Sequence, residues 1–141
     1  MKKNIAVFHQ HAFLRYPTKK AIELAGVVIR SEKFFAENIN IIFVSDKQIK
    51  FLHHQYLQLS TVTDVITFRY NEGEKIDGEI YICLDQAQRQ SKIYEQTFTQ
   101  EVSRLIVHGA LHLVGYSDNT ESLRKSMREK ENFYLHKSGI I

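Results

Sequence analysis

The 141-residue chain has no tryptophan, one cysteine and one proline. A single thiol, Cys83, excludes an internal disulfide, and its place in a predicted strand makes it a small core residue. With only Pro17 and six glycines there is no proline- or glycine-rich linker, and there is no internal repeat or low-complexity stretch to divide the chain. One domain spanning residues 1–141 is therefore expected. No apolar run approaches the roughly 18 residues needed to cross a bilayer, so no membrane partner is expected. Met1, Lys2, Lys3 and Asn4 lead into no long apolar segment and no small-residue cleavage site, which argues against a signal peptide and for a cytoplasmic location. Charge of one sign is also scarce. Nineteen Lys and Arg against sixteen Asp and Glu leave +3, too little to identify a nucleic-acid protein by charge alone. What remains is 43% hydrophobic and 25% charged, the composition of a globular chain able to bury a real core.

Hydrophobic periodicity orders the elements. Residues 4–8 read as a strand, followed by His9 and His11 at strand spacing as surface or edge residues. Pro17 and Thr18 open a helix whose apolar stripe, from Ala21 and Ile22 to Phe34 and Phe35, carries it to about residue 36. The continuous run Ile41, Ile42, Phe43 and Val44 marks a strand over 40–45, covered on both faces. Ser45 or Asp46 then caps a helix bearing Ile49, Leu52 and Leu57, with His53 and His54 on its solvated side. Strands over 65–70 and 79–84 flank a polar, glycine-bearing loop and form an antiparallel hairpin. Helices over 85–94, 98–114 and 121–137 finish the chain. The first strand-helix-strand unit suggests a parallel pair. The fold class is α+β, a mixed four-stranded sheet with helices packed on it, in the order β-α-β-α-β-β-α-α-α.

The chemistry concentrates in His108-Gly109-Ala110-Leu111-His112-Leu113-Val114-Gly115-Tyr116-Ser117-Asp118. Two imidazoles four residues apart share one helix face, about one turn from each other. Gly115 supplies the stop, and the chain beyond it folds back to present Asp118 to the same point. Two nitrogens and a carboxylate suit a divalent transition metal, zinc first, and three protein ligands leave a position open for water. The segment is too apolar for a solvated face, which makes unpaired imidazoles costly there. Glu101, Arg104, His108, His112 and Gly115 form one polar stripe, read as the floor of a cleft. Arg104 either orients a phosphate or pairs with Glu101. Farther on, Arg124, Lys125, Arg128 and Lys130 interleave with Glu121, Glu129 and Glu131, which fits a solvated face laced with ion pairs or, alternatively, phosphate contact.

That segment resembles the signature of the YbeY family of bacterial metal-dependent endoribonucleases, His-Gly-x-Leu-His-Leu-x-Gly-Tyr followed two residues later by a third ligand. Thr63-Asp64-Val65-Ile66-Thr67-Phe68 is similar to the family's Thr-Asp-Val-Leu-Ser-Phe, and Gly78-Glu79-Ile80-Tyr81-Ile82 to its Gly-Asp-Ile-x-Ile strand. The resemblance implies that His108, His112 and Asp118 are the metal ligands and catalytic residues, with one Zn²⁺ per chain. It further implies hydrolysis of single-stranded RNA in maturation of the small-subunit ribosomal RNA 3′ end and in ribosome quality control. The partners implied are ribosomal RNA precursor and the small ribosomal subunit, with no DNA. Two positions depart from the pattern. Asp118 stands where the family usually has a third histidine, which lowers the net charge of the site and makes manganese more plausible. Leu57 stands where the family has an arginine after the tyrosine of Leu-Asn-x-x-Tyr-Arg, here Leu52-His53-His54-Gln55-Tyr56-Leu57. Arg69 or Arg104 is then the candidate for RNA contact, with Asp64 beside them. Asp64 has a turn-capping role as its alternative, and a direct catalytic part for Asp64 or Glu79 is the lesser reading.

Two other functions fit the same residues. One is a metallohydrolase of a peptide or small molecule, although a His-Glu-x-x-His peptidase carries a general-base Glu where this chain has Gly109. The other is a ribosome-associated binding protein whose metal only staples the last loop to its helix.

Overall fold

Ile41, Ile42, Phe43 and Val44 are almost wholly buried, and they occupy the middle of the sheet because neither face of that run offers water a polar side chain. The computed structural model describes residues 4–58 and 61–141, so the N-terminal Met1, Lys2 and Lys3 read above lie outside the described residues. In chain order the elements are β1 (Ile5–His9), α1 (Thr18–Ser31), β2 (Phe35–Val44), α2 (Asp46–Leu57), β3 (Val65–Arg69), β4 (Lys75–Cys83), α3 (Leu84–Ile93), α4 (Phe98–Leu113) and α5 (Glu121–Lys137). This is the α+β order expected, with a mixed sheet of order β1-β2-β4-β3. β1 and β4 both run parallel to β2, and β3 pairs antiparallel with β4. No helix among the described residues is long and apolar enough to cross a membrane.

Three boundaries differ from the sequence reading, and one cause explains them. The apolar stripe carries the first helix to about residue 36, but α1 stops at Ser31. Lys33 takes the left-handed conformation (φ 70°), and the Lys33 and Phe34 N–H groups close back on the Arg30 and Ile29 carbonyls. The Phe35 N–H then bonds the Glu74 carbonyl at 2.8 Å, starting β2 five residues earlier than residue 40. Its partner, Lys75 to Asp77, belongs to β4 rather than to the polar loop. Neither stretch is apolar enough to announce a strand alone; each becomes one by pairing with the other.

α4 is the element on which the core closes. Ten of its sixteen residues are buried, and it packs against α1, α3, α5, β3 and β4, which leaves a single stripe free for chemistry. It starts with a capping box, Thr97 and Gln100, just as Ser45 and Gln48 start α2. At Gly109 it lies so near the sheet that a Cβ would stand 2.6 Å from Ile80 Cγ2.

Two histidines read as exposed are not. His11 is buried beneath its own loop: its Nε2 meets Asp85 Oδ1 at 2.8 Å, and its Nδ1 accepts the Phe13 and Leu14 N–H groups. His53 is also buried, with Nδ1 2.9 Å from the Thr61 carbonyl. In both, the partner that makes burial affordable is remote from the helix or strand pattern. His9, by contrast, is exposed at the sheet edge as read, against the Thr18 hydroxyl.

Candidate metal centre

α4 ends at Leu113 and the chain turns back at Gly115, whose φ of 102° is open to glycine at no steric cost. The Gly115 and Tyr116 N–H groups bond the His112 and Leu111 carbonyls at 3.0 Å each, satisfying the exposed end of the helix. This tight reversal delivers Asp118 to the imidazoles one and two turns back. His108 Nε2 and His112 Nε2 are 3.0 Å apart, and Asp118 Oδ2 lies 3.4 Å from the first and 3.6 Å from the second. The three atoms make a near-equilateral triangle. Ligands of a tetrahedral ion stand ~3.4 Å apart when each is about 2.1 Å from it, so the donor set fits a zinc-sized divalent ion. All three residues are partly exposed, so the triangle is open on its solvent side.

A second layer fixes each ring. Glu131 Oε2, buried on α5, accepts from His108 Nδ1 at 2.6 Å, and the Tyr116 carbonyl accepts from His112 Nδ1 at 3.0 Å. With both Nδ1 atoms donating, both Nε2 lone pairs point into the triangle. Glu131 in turn accepts from Arg104 Nη1 at 3.1 Å, and Arg104 also donates through Nε and Nη2 to the buried carboxylate of Glu101. Gln90 closes the chain, donating to Glu101 at 2.7 Å. At His108 burial works against the charged ring, but the hydrogen bond and charge of Glu131, with Asp118 and Asp64 behind it, hold its pKa above the ordinary 6.5. At His112 burial and the neighbouring His108 lower it. Metal binding at the triangle therefore competes with protonation of His108.

The remaining candidates fall into place around this centre. Of the two readings for Arg104, pairing is the one seen: all its nitrogens serve Glu101 and Glu131. Arg69 donates to the Leu113 carbonyl at 3.0 Å and to the Gly73 carbonyl, with its guanidinium over the Phe34 ring, so it ties β3 to the end of α4. Asp64 sits where its charge reaches His108, while its carbonyl accepts the Cys83 N–H. Glu79 accepts from the Tyr70 and Tyr81 hydroxyls, and alternation along β4 puts it on the sheet face opposite to that of Ile80, which meets α4. Leu57 is exposed at the end of α2.

Glu131 is the functional residue the sequence reading missed, having been placed on a solvated face. Its signal was present: with Met127, Tyr134 and Leu135 it lies on the buried stripe of α5, where a carboxylate needs a partner. A second group, Asp46, Cys83 and Asp85, also brings three possible ligand atoms together. Its members are already engaged. Arg89 forks onto both oxygens of Asp46 at 2.7 and 2.9 Å, Asp85 holds His11 and the Asp46 N–H, and the Cys83 thiol donates to Asp46. Burial, followed by the nearby acids, pushes that thiol up to about 12, so it stays protonated and packs as a core residue.

Comparison with known proteins agrees with the signature segment and extends it. The family model described as Endoribonuclease YbeY matches residues 5–139. An Endoribonuclease YbeY of Amoebophilus asiaticus is 38% identical over 142 residues, covering 99% of this chain and 97% of that protein. One from Chlorobium limicola is 41% identical over 110 residues, covering 78% of this chain and 76% of its own. Among solved structures, the solution structure of TM1509 from Thermotoga maritima superposes with a TM-score of 0.67 at 28% identity, over 95% of this chain and 88% of that one.

Proposed function

Because the chain belongs to the YbeY endoribonuclease family, we propose that it is a metal-dependent endoribonuclease that hydrolyses single-stranded RNA in the cytoplasm. Its substrate in this reading is precursor ribosomal RNA, cut in maturation of the small-subunit 3′ end and in ribosome quality control, with the small subunit as partner. The observation that carries the reading is the triangle of His108 Nε2, His112 Nε2 and Asp118 Oδ2, held from behind and open in front.

His108, His112 and Asp118 would hold the ion, zinc first and manganese as the alternative that one carboxylate favours. A divalent ion bound there supplies Lewis acidity toward water and toward phosphoryl oxygens. The protein's part is orientation. Glu131 and the Tyr116 carbonyl lock the two rings, and the Glu101–Arg104–Glu131 chain holds the Glu131 carboxylate in place. In the reaction an oxygen of water bonds to phosphorus, one P–O ester bond breaks, and a proton ends on the leaving oxygen.

Two observations set this reading above its rivals. A general-base glutamate after the first histidine, as in zinc peptidases, is sterically excluded, because position 109 faces Ile80 and not the cleft. A purely structural staple would be closed, whereas the Asp118 side chain is 38% exposed. The test is His108→Ala together with chelation of the wild type. Both are expected to remove bound metal, by elemental analysis, and cleavage of single-stranded RNA, with the far-ultraviolet circular dichroism retained. Cleavage that survives complete metal removal would sink the reading.

A further inference from the structure

A groove of about 770 Å³ runs from the metal centre along the α4–α5 junction. Its inner end is His108 and Asp118, and its outer end is Tyr94 and Ile141. The charged side chains lining it are three acids and three arginines, and their pairing decides what the groove attracts. Glu101 and Glu131 are spent on Arg104 and His108, and Asp118 faces the two imidazoles. Arg104 is neutralised in turn. That leaves Arg124 and Arg128. Both are exposed on α5, and neither makes an ion pair among the described residues; the Arg124 guanidinium donates to the Asp118 carbonyl at 3.4 Å.

Arg124, Arg128 and Asn132 lie at successive helical turns on the wall of this groove, a rail about 12 Å long. The rail begins beside a metal ligand. Neighbouring Lys125 does not line the groove, and Lys130 is committed to Glu32 at 3.2 Å. The cations that face the cleft without an acidic partner among the described residues are therefore two guanidiniums in line with the metal centre, a pattern that matches successive phosphates of one strand. The chain meanwhile has Leu57, and not an arginine, at the end of α2.

We propose that Arg124 and Arg128 bind consecutive phosphates of single-stranded RNA next to the scissile bond, and so set the strand's path along α5 toward Tyr94. This rests on the endoribonuclease reading above and names the substrate-binding side chains for it. The two arginines position the strand and take no part in bond breaking.

The experiment measures binding of a non-cleavable, phosphorothioate-substituted single-stranded RNA to the metal-loaded protein across a salt series, and cleavage of the unmodified strand. Each phosphate contact adds about 0.7 to the slope of log affinity against log salt, so the double variant R124Q/R128Q should lose roughly 1.4 from it. Affinity at low salt should fall at least about tenfold, KM should rise with kcat within about twofold, and bound metal should be unchanged. R124K/R128K should recover most of the salt slope, and K125Q should leave affinity within about twofold of wild type. If wild type binds and cleaves RNA while R124Q/R128Q does the same with an unaltered slope, the rail is wrong and the endoribonuclease reading stands. An equal loss in K125Q would also overturn the rail, since it would show diffuse attraction rather than a bound path. If wild type neither binds nor cleaves RNA, both readings fail together.

Discussion

Glu131 is the residue on which most of the centre's order depends. One carboxylate fixes the His108 tautomer through one oxygen and the Arg104 guanidinium through the other. Partners of metal-bound histidines are worth about 10–100-fold in metal affinity. Glu131→Gln keeps the shape and one acceptor oxygen but loses the charge, so we expect a metal dissociation constant about tenfold weaker by competition with a chelator dye. An unchanged constant would show that His108 is oriented by packing alone. The same variant lowers the His108 pKa, because the acid that outweighs burial is gone. Metal binding to it should then release fewer protons near pH 7 than in wild type.

Among the elements, the contact between α4 and β4 sets where the rings sit. Gly109 lets the helix lie against Ile80, a β-branched side chain that cannot swing clear. Gly109→Ala should cost about 1–3 kcal/mol by overpacking, read as a lower midpoint in urea with an unchanged slope. The other clamp joins α1 to α5. Just past α1, Glu32 accepts from the Tyr116 hydroxyl at 2.7 Å, from Lys130 at 3.2 Å and from the Tyr134 hydroxyl. Burial would raise the Glu32 pKa, but these three donors together overcome it and hold it below the ordinary 4.5. A carboxylate depressed in the folded state stabilises fully above its unfolded pKa and loses that contribution as pH falls through the folded one. Glu32→Gln should therefore cost about 1–3 kcal/mol at pH 7 and flatten the acid limb below about pH 4.5, with thermal melts across pH as the measurement. An acid limb identical to wild type would assign that limb to other carboxylates.

At the scale of the whole molecule, the core closes without the ion: the buried Ile, Leu and Val of α4 and of the sheet face it covers form one cluster, Ile42, Val44 and Ile66 on the other face belong to a second, and neither holds any of the three ligands. Removing metal should leave the secondary structure intact and lower the melting temperature by roughly 5–10 °C, since an ion at 100 times its dissociation constant adds about 2.7 kcal/mol. Unfolding on chelation would instead make the metal structural. This division also explains what the sequence discloses. The order of elements, the β1–β2 and β3–β4 pairings and the meeting of His108, His112 and Asp118 were legible, because each rests on local periodicity or a short connection; the parallel pairing of β2 with β4 was not. The starts of β2 and β4, the burial of His11 and His53, and the role of Glu131 were not. Each depends on a partner outside its own element: Glu74 for Phe35, Asp85 for His11, Thr61 for His53, and His108 and Arg104 for Glu131. Periodicity reports which face of an element is dry. It does not report which remote group makes a charge tolerable there.

Tyr116 joins these scales in one residue, since its main-chain oxygen steers an imidazole while its phenol is anchored on Glu32. Whatever affinity the centre gains from that anchorage, the anchorage gains in equal measure when the centre is loaded, because linkage is reciprocal. The far end of α1 would thus respond to occupancy: a protein charged with its ion and one stripped of it would differ in stiffness at Glu32, well away from any atom that touches the metal.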